Sequence, residues 1–308
     1  MKMARGARKG RPLNGWVIID KDQGATSTWV VGAVKRLTHA QKAGHGGTLD
    51  PLATGILPVA LGEATKTVPY IMDSCKSYRF TIRFGEARDT DDAEGALIAT
   101  SAERPSEAEL VAALPKFIGS IQQVPPCFAA VKIQGERAYD MARRGETVEL
   151  KPRVVRIDRL HLIDRPDPDT AIFEMSCGKG AYVRALARDL GRHLGCLAHV
   201  IQLRRTAVGP FGLDRAVTLA GLEQPCLEDS LHQIIIPVAT ALAGIPALAV
   251  TEPQAHRLKA GQPIMVSPQL IVGDCGEGAT IKVLQAGALV ALGRLEGAEL
   301  APLRIFNL

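Results

Sequence analysis

Twelve residues, Gly44-His45-Gly46-Gly47-Thr48-Leu49-Asp50-Pro51-Leu52-Ala53-Thr54-Gly55, constrain this chain more than any other stretch. Gly44, Gly46 and Gly47 free the backbone for a tight loop that can approach a ligand closely. Pro51 pushes Asp50 out of helical geometry, so the carboxylate stands on an extended or turn residue. An ionisable acid held on such a loop, with a histidine nearby, is what a site needs when a carboxylate must act on a substrate. Asp-Pro alone reads more simply as a turn capping the next segment. The weight moves toward a site only when the whole run is taken together.

Around this loop the chain alternates short apolar runs with helical stripes. Residues 15–20 read as a buried strand broken by Gly24, after which Thr26, Ser27 or Thr28 can cap a helix carrying Trp29, Val30, Val34 and Leu37 at helical spacing. Residues 55–61 form another apolar strand, and Tyr78 to Phe84 alternates with period two, as a strand with one wet face does. Ser106 with Glu109 makes a capping box for a helix near 106–117. Residues 170–177 read as a strand, 181–194 as an amphipathic helix, and 200–203 as a further strand. Past Pro246 the texture becomes short alternating segments broken by glycine, the pattern of a small β module.

With 308 residues, 46% hydrophobic and 22% charged, the chain is long and apolar enough for a large domain plus a small one. Its net charge of +5 fits a polyanionic partner without demanding one. Lys2, Arg5, Arg8, Lys9 and Arg11 open the chain before any acid appears, a tail that suits phosphate contact or plain solvation equally. Residues 122–156 are Pro-flanked and basic, with Lys132, Arg137, Arg143, Arg144, Lys151, Arg153 and Arg156 interleaved with Phe128 and Tyr139. That pattern serves a solvated hairpin or an arm that closes on a phosphate backbone. The cysteines at 75, 127, 177, 196, 226 and 275 form no CxxC pair and no zinc spacing, so reduced thiols in a cytoplasmic protein are expected. The apolar run 234–250 is interrupted by Pro237 and Pro246 and falls short of the ~20 residues a bilayer span requires. Neither a phosphate-binding Walker loop nor a dinucleotide fingerprint occurs in its structural context, so no cofactor and no metal are expected.

Four stretches in order resemble the motifs of the TruB-type pseudouridine synthases. They are the Asp50 run with its lead-in Gly15 to Lys21, then Ser77-Tyr78-Arg79-Phe80, then Cys177 to Arg184, and last His199 to Thr206. The resemblance implies an α+β fold: a catalytic domain over 12–245, with a mixed, largely antiparallel sheet and flanking helices, following a basic tail over 1–11. It makes 122–156 a thumb-like RNA-binding insertion and 246–308 a small PUA-like β-barrel. Two positions depart from the family pattern. Gly46 stands where many relatives carry Thr, which implies a looser loop around His45, and Asp22 stands where many carry Pro.

The implied activity is isomerisation of uridine 55 in the tRNA T-loop to pseudouridine, without metal, nucleotide or redox cofactor and without an obligate protein partner. In that reading Asp50 is the nucleophile, a chemically ordinary role for a carboxylate at a sugar centre. Arg184 is its cationic partner. Tyr78 stacks on the flipped uracil, and Tyr182 bonds the uracil or accepts its C5 proton. His45 holds the extruded nucleotide, and Leu203 contributes a backbone contact to the base. Asp92, in the acidic loop 89–95, helps to position RNA at the cleft rim. Lys21, Lys179, Arg204 and Arg205 are phosphate contacts. Each has a bland counterpart: an aromatic in a strand is commonly core, and a lone basic side chain is commonly solvated. A tRNA-binding folding chaperone with dispensable catalysis is the alternative of another class. A role as catalytic partner of a guide-RNA particle would call for an extended basic C-terminal tail, which is lacking.

Overall fold

The computed structural model describes residues 10–128, 132–133, 136–137, 144 and 150–308. Most of the basic tail (Lys2, Arg5, Arg8 and Lys9) and much of the basic insertion, Tyr139 and Arg143 included, lie outside the described residues.

Strand β1 (Gly15–Lys21) shows how the molecule is layered. Val17 and Ile19 point into one apolar cluster while Trp16 and Ile18 point into another, and all four are fully buried. A strand covered on both faces reads as a continuous apolar run, as this one does. It belongs to a ten-stranded sheet. The other strands that matter here are β2 (Ala43–His45), β3 (Thr54–Leu61), β4 (Lys76–Phe84), β5 (Gly119–Gln123), β6 (Arg153–Asp167), β7 (Thr170–Cys177), β8 (Ala198–Val208) and β9 (Ala216–Val217). The sheet runs β9-β1-β3-β8-β4-β7-β6-β5, with β2 added beside β3. Only the β1–β9 and β3–β8 pairs are parallel among these neighbours, so the sheet is mixed and largely antiparallel.

Two helices lie on the face that holds the larger cluster. Helix α1 (Ser27–Thr38) is capped by Thr26, whose hydroxyl accepts the Trp29 N–H at 3.2 Å. Its buried stripe is Val30, Ala33 and Val34. Trp29, expected on that stripe, is 54% exposed because it stands about 100° round the helix from Val30. Helix α2 (Val183–His193) buries Val183, Leu186, Ala187 and Leu190 against the same core. Between them the predicted capping box is present at Glu107–Ala113: the Ser106 hydroxyl accepts the Glu109 N–H at 3.2 Å, and Glu109 accepts the Ser106 N–H at 2.7 Å.

The apolar run 234–250 forms 3₁₀ turns and a short strand, Ala247–Ala249, with Ile236 bridged to Trp16 by two backbone hydrogen bonds of 2.8 Å. No helix among the described residues is long and apolar enough to cross a membrane. The strand Ala247–Ala249 joins a six-stranded sheet that curls into a half-barrel, its long members being Thr280–Gln285, Ala288–Glu296 and Glu299–Ile305. This module is not a pendant. Leu289, Leu292 and Phe306 join Trp16, Ile56 and Phe211 in the second cluster, on the sheet face opposite α1 and α2. Lys66 reinforces the contact by donating to the Ile305 carbonyl at 2.6 Å.

Candidate active site

The Asp50 loop is suspended from its neighbours by main-chain and side-chain bonds that leave the carboxylate free to project. Gly24 N–H donates to the Pro51 carbonyl at 2.8 Å. The buried Ser27 hydroxyl both donates to the Leu49 carbonyl and accepts the Leu49 N–H, each at 2.9 Å. Lys21, 1% exposed, puts its ammonium under the loop and donates to the carbonyls of Asp22, Ala25 and Pro51 at 2.8, 2.9 and 3.3 Å. Burial lowers its pKa to about 8, with the nearby Asp50 charge opposing. From the other side Arg205, 2% exposed, donates to the carbonyls of Ile56 (2.7 Å), Thr48 (3.1 Å) and Gly47 (3.3 Å). Gly55, at φ +97°, is where β3 leaves the loop. An added Cβ there would sit 2.2 Å from the Arg205 carbonyl oxygen, so only glycine serves.

Arg184, on the first turn of α2, meets the carboxylate: its Nη2 stands 2.9 Å from Asp50 Oδ2. Its Nη1 stands 3.5 Å from Asp92 Oδ2 and donates to the Thr90 carbonyl at 3.0 Å, while Nη2 also donates to the Phe128 carbonyl at 3.1 Å. One guanidinium fork therefore joins the Asp50 loop, the acidic loop and the root of the insertion, a job for a planar, multiply donating cation. Asp92 is 3% exposed and accepts from the Thr90 hydroxyl at 2.6 Å and the Glu94 N–H at 3.1 Å.

Asp50 and Arg184 open onto a cavity of about 260 Å³, a little below the roughly 300–1,000 Å³ of drug-sized sites. Tyr78, Tyr182, Leu203, Lys76 and Met72 share its wall with Gly47 and Lys179. Burial pushes both phenols up, and for Tyr182 the Asp50 charge adds to the rise. The charge of Arg205 opposes the shift at Tyr78. Lys76 is 8% exposed and caps the end of the helix Val68–Asp73, donating to the Met72 and Ser74 carbonyls at 2.5 Å. Burial lowers its pKa too.

The structure thus brings Asp50, Arg184, Tyr78, Tyr182 and Leu203 together as expected. His45 is set on β2 opposite Val59, two residues before cavity-lining Gly47. Lys179 is exposed at the rim and paired with Asp73 at 2.8 Å, and Arg204 makes a two-pronged pair with Asp20 at 2.7 and 3.0 Å. Three expectations change. Lys21 and Arg205, read as phosphate contacts, are spent inside the fold on carbonyls of the Asp50 loop and its flanks, and Asp92, read as a rim contact to RNA, is a buried counter-ion of Arg184. Gly46 does not loosen the loop either. Its N–H donates to the Pro58 carbonyl at 2.8 Å, and Ile71 and Trp16 occupy the place of its missing side chain. Sequence reasoning missed Ser27, Lys76 and Gln123, none of which carries a local signal. Among the described residues no His, Cys, Asp and Glu cluster suits a metal.

Comparison with known proteins agrees with this arrangement. Residues 35–183 match the TruB family pseudouridylate synthase (N terminal domain), and residues 184–243 match the tRNA pseudouridylate synthase B C-terminal domain. The chain is 53% identical over 306 residues to the tRNA pseudouridine synthase B of Bradyrhizobium diazoefficiens, covering 98% of this chain and 88% of that one. It is 51% identical over 309 residues to the protein of the same name in Gluconacetobacter diazotrophicus, covering 97% and 99%. Among solved structures, a chain of a Cbf5-Nop10-Gar1 complex superposes with a TM-score of 0.76 at 24% identity, covering 95% of this chain and 85% of that one, and supports the fold.

Proposed function

The chain belongs to the TruB family of pseudouridylate synthases, and from that membership we propose that it converts uridine 55 of the tRNA T-loop to pseudouridine. The activity is that of a tRNA pseudouridine synthase, an isomerase. The reaction breaks the bond from C1′ to N1 of uracil, rejoins C1′ to C5, and moves a proton from C5 to N1, so no atom is gained or lost.

The observation that carries the assignment to this site is the Asp50–Arg184 pair at 2.9 Å, opening onto a cavity shared with Tyr78 and Tyr182. Asp50 is the carboxylate that acts on the extruded nucleotide. Tyr78 and Leu203 supply apolar surface for the base, which offsets the few kcal/mol spent in unstacking it. Tyr182, its phenol pushed up by burial and the Asp50 charge, lines the same cavity and bonds the uracil. Arg184 holds the carboxylate, and Lys21 and Arg205 hold the loop beneath it. In this reading His45 holds the extruded nucleotide, and Lys179 and Arg204 contact phosphates.

The division of labour follows: residues 12–245 form the catalytic domain, with 122–156 gripping the phosphate backbone, and the half-barrel over 246–308 adds RNA contact. Such work on tRNA supports a cytoplasmic location. A chaperone with dispensable catalysis is not favoured, since the relatives that match nearly end to end carry the name of a synthase. The test is to incubate the protein with unmodified tRNA and map pseudouridine by carbodiimide-blocked primer extension. A single stop one nucleotide 3′ of uridine 55, abolished in a transcript carrying cytidine at 55, is the expected result. Stops elsewhere would refute the assigned position.

A further inference from the structure

Tyr182 is held by an unusual partner. Strand β7 ends at Cys177, and Gly180, at φ +83°, turns the chain away from the sheet. Tyr182 itself is extended (φ −115°, ψ 119°) and gives α2 no side-chain cap. It therefore has no strand neighbour to fix it. Gln123, the last residue of β5 and 2% exposed, supplies one in side-chain form. Its Oε1 accepts the Tyr182 N–H at 2.8 Å, and its Nε2 donates to the Tyr182 carbonyl at 3.1 Å. That carbonyl also accepts the Leu186 N–H at 3.0 Å, which starts the helix. Two bonds from one planar amide fix both peptide planes flanking Tyr182, and hence the direction of its Cβ into the cavity.

The same segment is stitched to α2 twice more. Arg188 donates to the Val124 carbonyl at 2.7 Å and Arg184 to the Phe128 carbonyl at 3.1 Å. Four hydrogen bonds thus tie 123–128, where the chain leaves for the basic insertion, to the residues that carry Tyr182 and Arg184. We propose that Gln123 is a positioning residue for the isomerisation: its carboxamide clamps the Tyr182 backbone, and through it sets where Tyr182 and Arg184 stand relative to Asp50. Both polar ends of the amide are engaged in this clamp, which a residue present for packing alone would not require.

The inference rests on the synthase reading above, so wild-type protein is assayed alongside. Gln123→Met keeps the length and volume while removing both bonds, and Gln123→Glu keeps the acceptor but loses the donor. Displacement of reacting groups by about 1 Å can cost about 10²-fold in rate. Gln123→Met is therefore expected to lower single-turnover kcat on tRNA by about 10²-fold with Kd within about threefold, and Gln123→Glu by less. Amide hydrogen exchange over 178–188 is expected to speed up in both variants by more than the exchange of β1, which reports any loss of global stability. Unchanged exchange at Tyr182, or a kcat that falls only in proportion to the folded fraction, would overturn the proposal. Wild-type protein that forms no pseudouridine would sink the synthase reading instead, and the exchange data would still decide whether the clamp exists.

Discussion

Substituting Gly46 by alanine is expected to destabilise the protein, although nothing about its backbone demands glycine. Its φ is not among the positive ones, so the cost is steric. An added Cβ would lie 2.6 Å from Ile71 Cγ2 and 3.2 Å from Trp16 Cζ3. Both neighbours are fully buried, Ile71 on the helix after β3 and Trp16 against Phe211, so neither can swing into solvent. Overpacking of this kind typically costs about 1–3 kcal/mol. At about 2–4 °C per kcal/mol, melting should fall by about 2–12 °C. The partner substitution Ile71→Ala removes the Cγ2 and should cost about 2–5 kcal/mol by itself. In that background the 2.6 Å clash is gone and only the 3.2 Å contact with Trp16 remains, so Gly46→Ala should cost much less, a coupling of at least about 1 kcal/mol. Urea melts of the four proteins measure this. An equal cost of Gly46→Ala in both backgrounds would refute the steric argument and return the position to a question of backbone freedom.

Three further outcomes follow from the site and its supports. Tyr78→Leu should impair turnover strongly, whereas Tyr78→Phe should keep the stacking surface; if both act alike and only lower the melting temperature, the ring is core. Removing residues 247–308 should cost far more than tRNA affinity, because it uncovers Trp16 and Phe211 and loses Leu289, Leu292 and Phe306 from the second cluster. At about 1.5–3 kcal/mol for each buried side chain, that loss rivals the about 5–15 kcal/mol that holds a domain together. A circular-dichroism melt within a few degrees of the full chain would contradict it. Lys21 predicts a pH effect: its folded pKa of about 8 lies below the unfolded value, so between about pH 8 and 10.5 the unfolded chain binds more protons there. Native stability at this residue therefore rises with pH across that window, and denaturant melts should show a smaller rise for Lys21→Met than for wild type.

What the sequence revealed depended on whether a feature is local. The apolar run of β1, the period-two alternation of β4 and the Ser106–Glu109 capping box are written in neighbouring residues, and the structure shows all three. The Asp50 loop was legible because its glycines, acid and proline are contiguous. A buried lysine is not legible in this way: the same residue suits a phosphate or a ring of carbonyls, and only the tertiary approach of Ala25 and Pro51 decides for Lys21. Arg205 and Asp92 were misplaced for the same reason. Gln123 and Ser27 act on partners 59 and 22 positions away, where spacing carries no signal. Trp29 shows the limit of periodicity, since an apolar residue at the edge of a stripe can face either way. The docking of the half-barrel on Trp16 is marked only in part, because the continuous apolar run of β1 says that both faces are covered but not by which segment.

The central claim is that Asp50 carries the chemistry while the rest of the site holds the nucleotide. Asp50→Asn keeps the side-chain size and removes the charge. Single-turnover formation of pseudouridine at position 55 should fall at least ~10⁴-fold in this variant, with tRNA affinity changed little. Activity retained within tenfold, or binding lost in step with turnover, would contradict the account and leave Asp50 as a structural turn.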